Sequence, residues 1–259
     1  MKTKLKIALI QSDLTWENPE ENRNHFESKI EAITEAVDLI ILPEMFTSGF
    51  TMNAKAVAET MDGNTLNWLK HFASKKNTAI TGSLVISENN NFYNRLVFVH
   101  PDGKVDTYDK RHTFTLAGEH KVYAAGKSKS IINYNGWKIC PLICYDLRFP
   151  VWARNTEDYD VLLYVANWPK PRINAWDALL KARAIENMSY CIGVNRVGID
   201  ATDHEYPGHS ACYDVLGNKV VGFEPNETNV KLITLEKSPI ETYRNKLNFL
   251  NDKDRFLIV

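Results

Sequence analysis

Cys144 is the first candidate for covalent chemistry in this chain. It lies at the end of an apolar stretch that starts at Trp137. Arg148-Phe149-Pro150 follows, a sequence typical of a helix start after a strand. A thiol at such a turn reaches the edge of the sheet, and the positive end of the helix lowers its pKa. We therefore expect Cys144 to be reactive and Cys140, inside the strand, to be buried and inert. A cysteine taken alone is as often a small core residue, so other stretches must decide.

A glutamate stands at a comparable place earlier in the chain. Asp38–Leu42 is typical of a buried strand, and it ends at Pro43-Glu44. Open α/β sheets bind their ligands at that end of the strands. On position alone Glu44 would be an ordinary loop carboxylate, because glutamate is usually exposed. Its apolar neighbours Met45, Phe46 and Phe50 favour instead a carboxylate that serves as a general base.

A polar loop, Tyr108–His120, follows a hairpin predicted around Pro101-Asp102-Gly103. Its charged and titratable members are Lys110, Arg111, His112, Glu119 and His120. A charged loop is by default a solvated surface, but catalytic groups also concentrate on loops held by a rigid scaffold. A thiol nucleophile needs a base and a cation for the developing oxyanion, and Glu44, Lys110 and Cys144 have the types for these roles. Spacing alone does not establish that they meet.

The elements that must position these residues alternate between strands and helices. A strand at Leu5–Ile10, a helix near Glu21–Val37 and the strand before Glu44 predict a right-handed crossover in an α/β sheet. After Cys144 the pattern predicts further strands and helices, which are a strand at Asp160–Ala166, a helix at Ile173–Asn187, a strand at Ser189–Val197 and a last helix capped by Ser238. No linker or repeat divides the chain, so we expect a single domain over residues 1–259.

Composition excludes several classes of function. The chain has 259 residues and a net charge of −1 without long runs of one charge, which argues against a nucleic-acid or membrane-surface partner. No stretch approaches the roughly 20 apolar residues of a spanning helix, and the N-terminal segment lacks the features of a signal peptide. Four cysteines do not make a disulfide scaffold. We expect a cytoplasmic protein whose apolar end, Phe256–Val259, docks on the protein or on a neighbouring subunit.

Three segments become specific when they are taken together. LPEMFTSGF, YDKRHTF and ICYDLRFP, in this order, resemble the three signature segments of the nitrilase superfamily of carbon–nitrogen hydrolases. The later segments NWP, RAIENMSYCIGVNRVG and YPGHSACYDVLGNKV are similar to that family as well. The resemblance therefore covers nearly the whole chain, and it implies an α/β fold, a four-layer αββα sandwich of the nitrilase type.

The resemblance also implies a Glu–Lys–Cys triad, here Glu44, Lys110 and Cys144. The second glutamate of the family matches Glu119, which would orient the lysine and the bound substrate. Glu44 would take the thiol proton, and Lys110 with the backbone N–H of Tyr145 would hold the oxyanion. A thioester would follow, and water would release the acid without a metal or an organic cofactor.

The GEH and CYDLRFP segments look most like the omega-amidase branch, which hydrolyses the terminal amide of 2-oxo dicarboxylic acid monoamides such as 2-oxoglutaramate or 2-oxosuccinamate. Such a substrate carries a free carboxylate, for which Arg148 and Arg172 are the candidates. Arg148 has an equal alternative, an ion pair with Asp146. Trp168 is a candidate pocket wall, as are Phe46 and Tyr206, although aromatic residues are more often core.

Other interpretations stay open on the sequence. His112 could be the base of a Cys–His dyad. The chain could also belong to another branch of the superfamily and hydrolyse an N-carbamoyl amine or an aliphatic amide. A metal site at Asp203, His204, His209 and Cys212 is a poor match to zinc spacing. A non-catalytic binding protein on the same fold is disfavoured, because all three triad types are present.

The family associates through helices beside the active site, so the resemblance implies a homodimer. The segments near Pro150–Arg154 and Ile173–Asn187 are the candidate contact helices.

Overall fold

The structure of the protein is a computed structural model that describes residues 2–258. Its strands are β1 Lys4–Gln11, β2 Leu39–Ile41, β3 Ala79–Glu88, β4 Asn91–Val99, β5 Val105–Asp109, β6 Ile132–Tyr134, β7 Trp137–Ile143, β8 Val161–Ala166, β9 Tyr190–Asn195, β10 Val197–Ile199, β11 Glu205–Pro207, β12 Ala211–Tyr213, β13 Lys219–Gly222 and β14 Asn229–Glu236. Its helices are α1 Pro19–Glu31, α2 Ala54–Val57, α3 Asn64–Lys76, α4 Pro150–Ala153, α5 Ile173–Asn187 and α6 Lys237–Leu247. Within residues 2–258, none of the helices has the length and apolar character to cross a membrane.

Two six-stranded sheets carry most of the strands. The first has the order β14-β1-β2-β3-β4-β5 and the second the order β13-β12-β9-β8-β7-β6, while β10 and β11 form a separate ribbon. The centre of each sheet is parallel, at β1–β2–β3 and at β7–β8–β9, and the other pairs are antiparallel. Parallel strands end at the same edge of a sheet, so β2, β7 and β8 can deliver the residues that follow them to neighbouring places.

The two sheets pack face to face, as the alternation along β1 illustrates. Leu5, Ile7 and Leu9 belong to the large core shared by both sheets, whereas Ala8 and Ile10 face the opposite way. Apolar side chains of α1 and α3 cover that other face of the first sheet, and α5 packs on the second sheet. These layers confirm the four-layer α/β sandwich that the sequence predicts.

Local sequence explains where the helices begin and end, and it also explains two wrong predictions. In α1 the Asn18 side chain accepts from the N–H of Glu21 and Pro19 begins the helix, but the helix ends at Glu31 and does not continue to Val37. The chain must reverse there, because the N–H of Asp38 already pairs with β1. The last helix begins at Lys237, so Ser238 lies inside it and does not cap it. The bounds of α5 agree with the prediction.

The apolar end of the chain is largely exposed on the described part of the subunit, although Phe256 lines a shallow pocket with Val151 and Arg154. Leu257 is 93% exposed, and Phe256 and Ile258 are also exposed. Val259, the last residue of the predicted docking segment, lies outside the described residues.

The packing of α5 on β9 generates a stability prediction at Gly193. A Cβ at this glycine would lie 2.5 Å from Leu180 and 2.6 Å from Trp176, closer than carbon atoms approach. We expect Gly193→Ala to lower the free energy of unfolding, measured by urea denaturation, by about 1–3 kcal/mol. In a Leu180→Ala background the cost of the same substitution should shrink, because the Leu180 atoms that the methyl group meets are gone and only Trp176 remains. Equal costs in both backgrounds would contradict this packing.

Candidate active site

Four side chains from separate segments of the chain meet in one buried cluster. Lys110 Nζ donates to Glu44 Oε1 at 3.0 Å and to both carboxylate oxygens of Glu119 at 3.0 Å. Both glutamates are fully buried and Lys110 almost so. Cys144 lies near enough to Glu44 for the charge of that carboxylate to raise the pKa of its thiol, and its Sγ lies 3.9 Å from the backbone oxygen of Asn167. The structure thus brings together the three triad types and the second glutamate that the sequence predicts.

The charges of this cluster determine its proton affinities. Burial lowers the pKa of Lys110, but the charges of Glu119 and Glu44 outweigh that effect and raise the pKa above its ordinary value. Burial also raises the pKa of Glu119, which Lys110 only partly offsets. The lysine is therefore a permanent ammonium ion between two carboxyl groups.

The electrostatics around Cys144 overturn one expectation. Burial raises the pKa of the Cys144 thiol well above its ordinary value, and the charge of Glu44 raises it further, while Lys110 lowers it. The expected lowering by a helix N-terminus is wrong because the following segment is a short 3-10 turn, Cys144–Arg148. Cys140 is buried as predicted, and burial raises its pKa to about 12.

The backbone turns sharply at the two strand ends that carry Glu44 and Cys144. Cys144 follows β7 directly with φ of 44°, and Met45, next to Glu44, has φ of 42°. Both values lie in the left-handed region, which costs free energy for residues with a Cβ and is found where a site fixes the chain. These turns aim both side chains into the space at the ends of the strands.

Asp146 joins the thiol turn to the lysine loop. Its fully buried carboxylate accepts from the hydroxyl of Tyr108 at 2.7 Å and from the N–H of Ile143 at 3.1 Å. It also accepts from the N–H of His112 at 3.0 Å and lies 2.7 Å from that ring's Nδ1. The alternative pairing of Asp146 with Arg148 is therefore not formed, and His112 is held by Asp146 and stacked on Phe149 at 3.6 Å.

A pocket of about 330 Å³ opens above Cys144 and Lys110. Its walls are mostly aromatic, formed by Trp16, Phe50, Phe114, Tyr145, Trp168 and Tyr206, with polar groups at Arg148, Asn167, Arg172, Asp200, Thr202 and His204. Trp168 and Tyr206, the candidate wall residues, line this pocket, and Tyr145 lines it as well. Phe46 does not, because it is fully buried against Phe26 in the core between the first sheet and its helices.

Two arginines line the pocket without an acidic partner among residues 2–258. The guanidinium of Arg148 lies 5.0 Å from the ring of Trp168, and that of Arg172 lies 4.9 Å from the ring of Phe114. Stacking on an aromatic face holds a guanidinium in place and leaves its N–H groups free to bind an anion. The acidic residue nearby, Asp200, accepts instead from Thr202 and from the hydroxyl of Tyr206 at 2.7 Å.

The sequence interpretation missed two asparagines that bind Glu44. Asn94 Nδ2 donates to Glu44 Oε1 at 2.8 Å, and the N–H of Asn167 donates to Glu44 Oε2 at 2.7 Å. A signal was present for each of them. Asn167 follows the buried β8, just as Glu44 follows β2, and Asn94 interrupts an apolar face of β4 whose next members are Leu96 and Phe98.

The four residues weighed as a metal site do not come together. His204 lies beside Asp200 at the pocket, His209 pairs with Asp177 at 3.0 Å, and Cys212 is buried in β12. Within residues 2–258, histidine, cysteine and carboxylate side chains form no group of three that could hold a metal ion.

Comparisons with known proteins agree with this geometry. A sequence model of the carbon-nitrogen hydrolase family matches residues 6–245. Omega-amidase YafV of Yersinia enterocolitica is 43% identical over 98% of this chain and 99% of that protein, and 2-oxoglutaramate amidase of Bacillus subtilis is 35% identical over 83% and 84%. A crystal structure of a CN-hydrolase superfamily protein from Xanthomonas campestris, with an arsenic adduct in its active site, has a TM-score of 0.97 and 40% identity over both whole chains.

The chain therefore belongs to the carbon–nitrogen hydrolase family, the nitrilase superfamily. The αββα sandwich is the fold of that family, as the sequence resemblance implies. Omega-amidases, the class named for these relatives, act on linear amides. This chain is likewise a carbon–nitrogen hydrolase that acts on linear amides.

The position of His112 separates the two bases weighed from the sequence. Because Asp146 holds His112 Nδ1 and Glu44 is the carboxylate whose charge acts on the thiol, we expect His112→Ala to lower kcat for amide hydrolysis less than tenfold. Glu44→Gln should lower it by about 10²–10⁴-fold, the usual cost of losing a general base. Initial rates of ammonia release measure both. A larger loss in His112→Ala than in Glu44→Gln would restore the Cys–His dyad.

Proposed function

We propose that the protein is an omega-amidase that hydrolyses the terminal amide of a 2-oxo dicarboxylic acid monoamide, such as 2-oxoglutaramate or 2-oxosuccinamate, through a cysteine thioester. The observation that carries this proposal is a cluster of thiol, carboxylates and ammonium at the base of a pocket that also holds two arginines with no acidic partner in the described part of the chain. The names of the relatives with 35–44% identity support the same substrate class.

The first half of the reaction uses Cys144 as nucleophile and Glu44 as general base. Glu44 takes the thiol proton while the sulfur electron pair attacks the amide carbon. The exchange leaves the total charge of the buried cluster unchanged, because a thiolate replaces a carboxylate beside Lys110. Free ionisation of the thiol would instead add a negative charge to a buried site, which the raised pKa of Cys144 opposes.

The tetrahedral oxyanion then needs donors, and Lys110 and the backbone N–H of Tyr145 supply them. Tyr145 follows the thiol directly in the 3-10 turn and lines the pocket. One such donor typically contributes about 3–4 kcal/mol to the stabilisation of the transition state. Glu119 fixes Lys110 with two hydrogen bonds, so the ammonium is held in place before the substrate binds.

The second half of the reaction reverses the proton movement. Glu44 returns its proton to the leaving nitrogen as the carbon–nitrogen bond breaks, and ammonia departs from the thioester. Glu44 then takes a proton from water as the water oxygen attacks the thioester carbon. Collapse of this second intermediate breaks the carbon–sulfur bond, releases the acid, and returns the proton to the thiol. The protein supplies every group in this scheme, and no metal or organic cofactor takes part.

The proposal extends to the organisation of the protein. A single carbon–nitrogen hydrolase domain spans residues 1–259, and the helices α4 and α5 mediate a homodimer. Val151 on α4 and Ile185 on α5 are exposed apolar side chains, and the exposed tail at Leu257 is available to a second copy. The four cysteines are free thiols, as is usual in the reducing cytoplasm, where we place the enzyme.

A panel of substrates tests the proposed function. We expect ammonia release from 2-oxoglutaramate and 2-oxosuccinamate, and little from a simple nitrile, an N-carbamoyl amino acid or a neutral aliphatic amide. Cys144→Ala should abolish turnover. Preference for another compound would be consistent with the catalytic cluster but would contradict a binding site for the substrate carboxylate. Activity that persists in Cys144→Ala would refute the mechanism.

The two pocket arginines generate a separate prediction. We expect Arg148→Ala and Arg172→Ala each to raise KM for 2-oxoglutaramate about 10- to 150-fold, the range for losing a hydrogen bond to a charged group. Turnover of a neutral amide should change little. Lys170→Ala is the matched control, because Lys170 adjoins the second arginine but pairs with Glu205 outside the pocket. An equal effect on charged and neutral substrates would mean that the arginines bind no carboxylate.

A further inference from the structure

Asn94 is a buried polar residue that contacts the general base, and the mechanism gives it no role. It lies in β4, it is 1% exposed, and its amide nitrogen donates to Glu44 Oε1 at 2.8 Å and approaches Glu119 Oε1 at 3.5 Å. Its own Oδ1 has no hydrogen-bond partner among residues 2–258. An asparagine kept at a fully buried site with half of its hydrogen bonding unused is poorly explained by stability.

The hydrogen bonds to Glu44 show what the amide nitrogen does. A carboxylate has about four acceptor positions, two on each oxygen. Oε1 accepts from Lys110 and from Asn94, and Oε2 accepts from the N–H of Asn167. The position that remains is therefore on Oε2, and Cys144 is the thiol on which the charge of this carboxylate acts.

We propose that Asn94 is a positioning residue that occupies Glu44 Oε1 and so assigns Oε2 as the oxygen that takes the Cys144 proton. In that step the S–H bond breaks, an O–H bond forms on Oε2, and the electron pair left on sulfur attacks the amide carbon. Without Asn94, Oε1 has a free acceptor position, and a proton can reside there without being delivered along the reaction path. The inference rests on the proposed function for the roles of Glu44 and Cys144.

The hydrogen bond from Asn94 also has a consequence for the pH dependence of the reaction. A hydrogen bond donated to a carboxylate favours its charged form, so removing the donor makes the carboxylate bind a proton more tightly. The other titratable groups around Glu44 are Lys110, Glu119, Cys144 and Tyr123, from the lysine loop, the segment after it and the thiol turn. All of them remain when only Asn94 is replaced, so a change in the protonation of the base is attributable to this amide.

The test is the pH dependence of Cys144 alkylation by iodoacetamide, together with kcat/KM for 2-oxoglutaramate. Cys144 is the partly exposed cysteine of the four, and peptide mass identifies the labelled residue. We expect the acidic limb of both profiles to move to higher pH in Asn94→Ala by about one to two pH units. On the acidic limb the rate at a given pH should therefore fall about 10- to 100-fold and recover at higher pH, whereas KM should change less than threefold.

Two variants make this outcome decisive. Thr81→Val is the matched control, because Thr81 is a buried polar residue of the neighbouring strand whose hydroxyl donates to the carbonyl of Val97, away from the cluster. It should leave the acidic limb in place. Asn94→Ser keeps one donor, so it should move the limb in the same direction by a smaller amount, and it carries the test alone if Asn94→Ala does not fold.

Either of two results in Asn94→Ala would overturn the inference. The first is an unchanged pH profile, and the second is a rate that falls by the same factor at every pH. The second is the signature of a structural role. Failure of the proposed function is distinguishable, because alkylation does not depend on which amide is the substrate. The wild-type protein could fail to hydrolyse 2-oxo acid amides while Asn94→Ala still shows the shifted alkylation limb. That pair of results would refute the substrate and retain the positioning role.

Discussion

The Lys110 ammonium between two buried carboxylates is the interaction on which the site depends. Burying one of these charges alone would cost several kcal/mol, so each partner requires the others in place. When both glutamates are ionised, one negative charge stays uncompensated, and a further thiolate would be costly beside it. In the proposed mechanism the buried thiol therefore reacts by exchanging its proton with Glu44 and not by standing as a free thiolate. This arrangement differs from cysteine enzymes in which a histidine or a helix N-terminus lowers the thiol pKa.

The fold satisfies this requirement by bringing several strand ends to one place. Glu44 follows β2, Cys144 follows β7, and Asn167 follows β8, so two face-to-face sheets meet at the cluster. The Asn167 side chain donates to the carbonyl of Glu44 at 2.6 Å, which ties an end of the second sheet to an end of the first. Asp146 provides the complementary tie between the thiol turn and the lysine loop. The pocket above is aromatic, which excludes water and strengthens the charged contacts beneath it.

Sequence patterns predicted the elements well where local periodicity decides the structure, as at α5, and the motifs identified Glu44, Lys110 and Cys144 together. They failed where distant charges decide. Glu44 and Lys110 lie 66 positions apart, so no local pattern around Cys144 reveals the negative charge that raises the pKa of its thiol. The sequence makes Phe46 a candidate pocket wall, but the sharp turn at Met45 sends Phe46 into the core. Asn94 is visible only as a polar interruption of an apolar strand face, and its partner cannot be read from that pattern.

The most direct test of the account is the mass of the enzyme caught during turnover. Wild-type protein mixed with 2-oxoglutaramate and quenched in acid within the first turnovers should carry an adduct with the mass of the substrate less ammonia. Digestion should place that adduct on the peptide that contains Cys144, and the Glu44→Gln variant should accumulate far less of it in the same time. An adduct on another residue, or hydrolysis that proceeds with Cys144 replaced by alanine, would contradict the account.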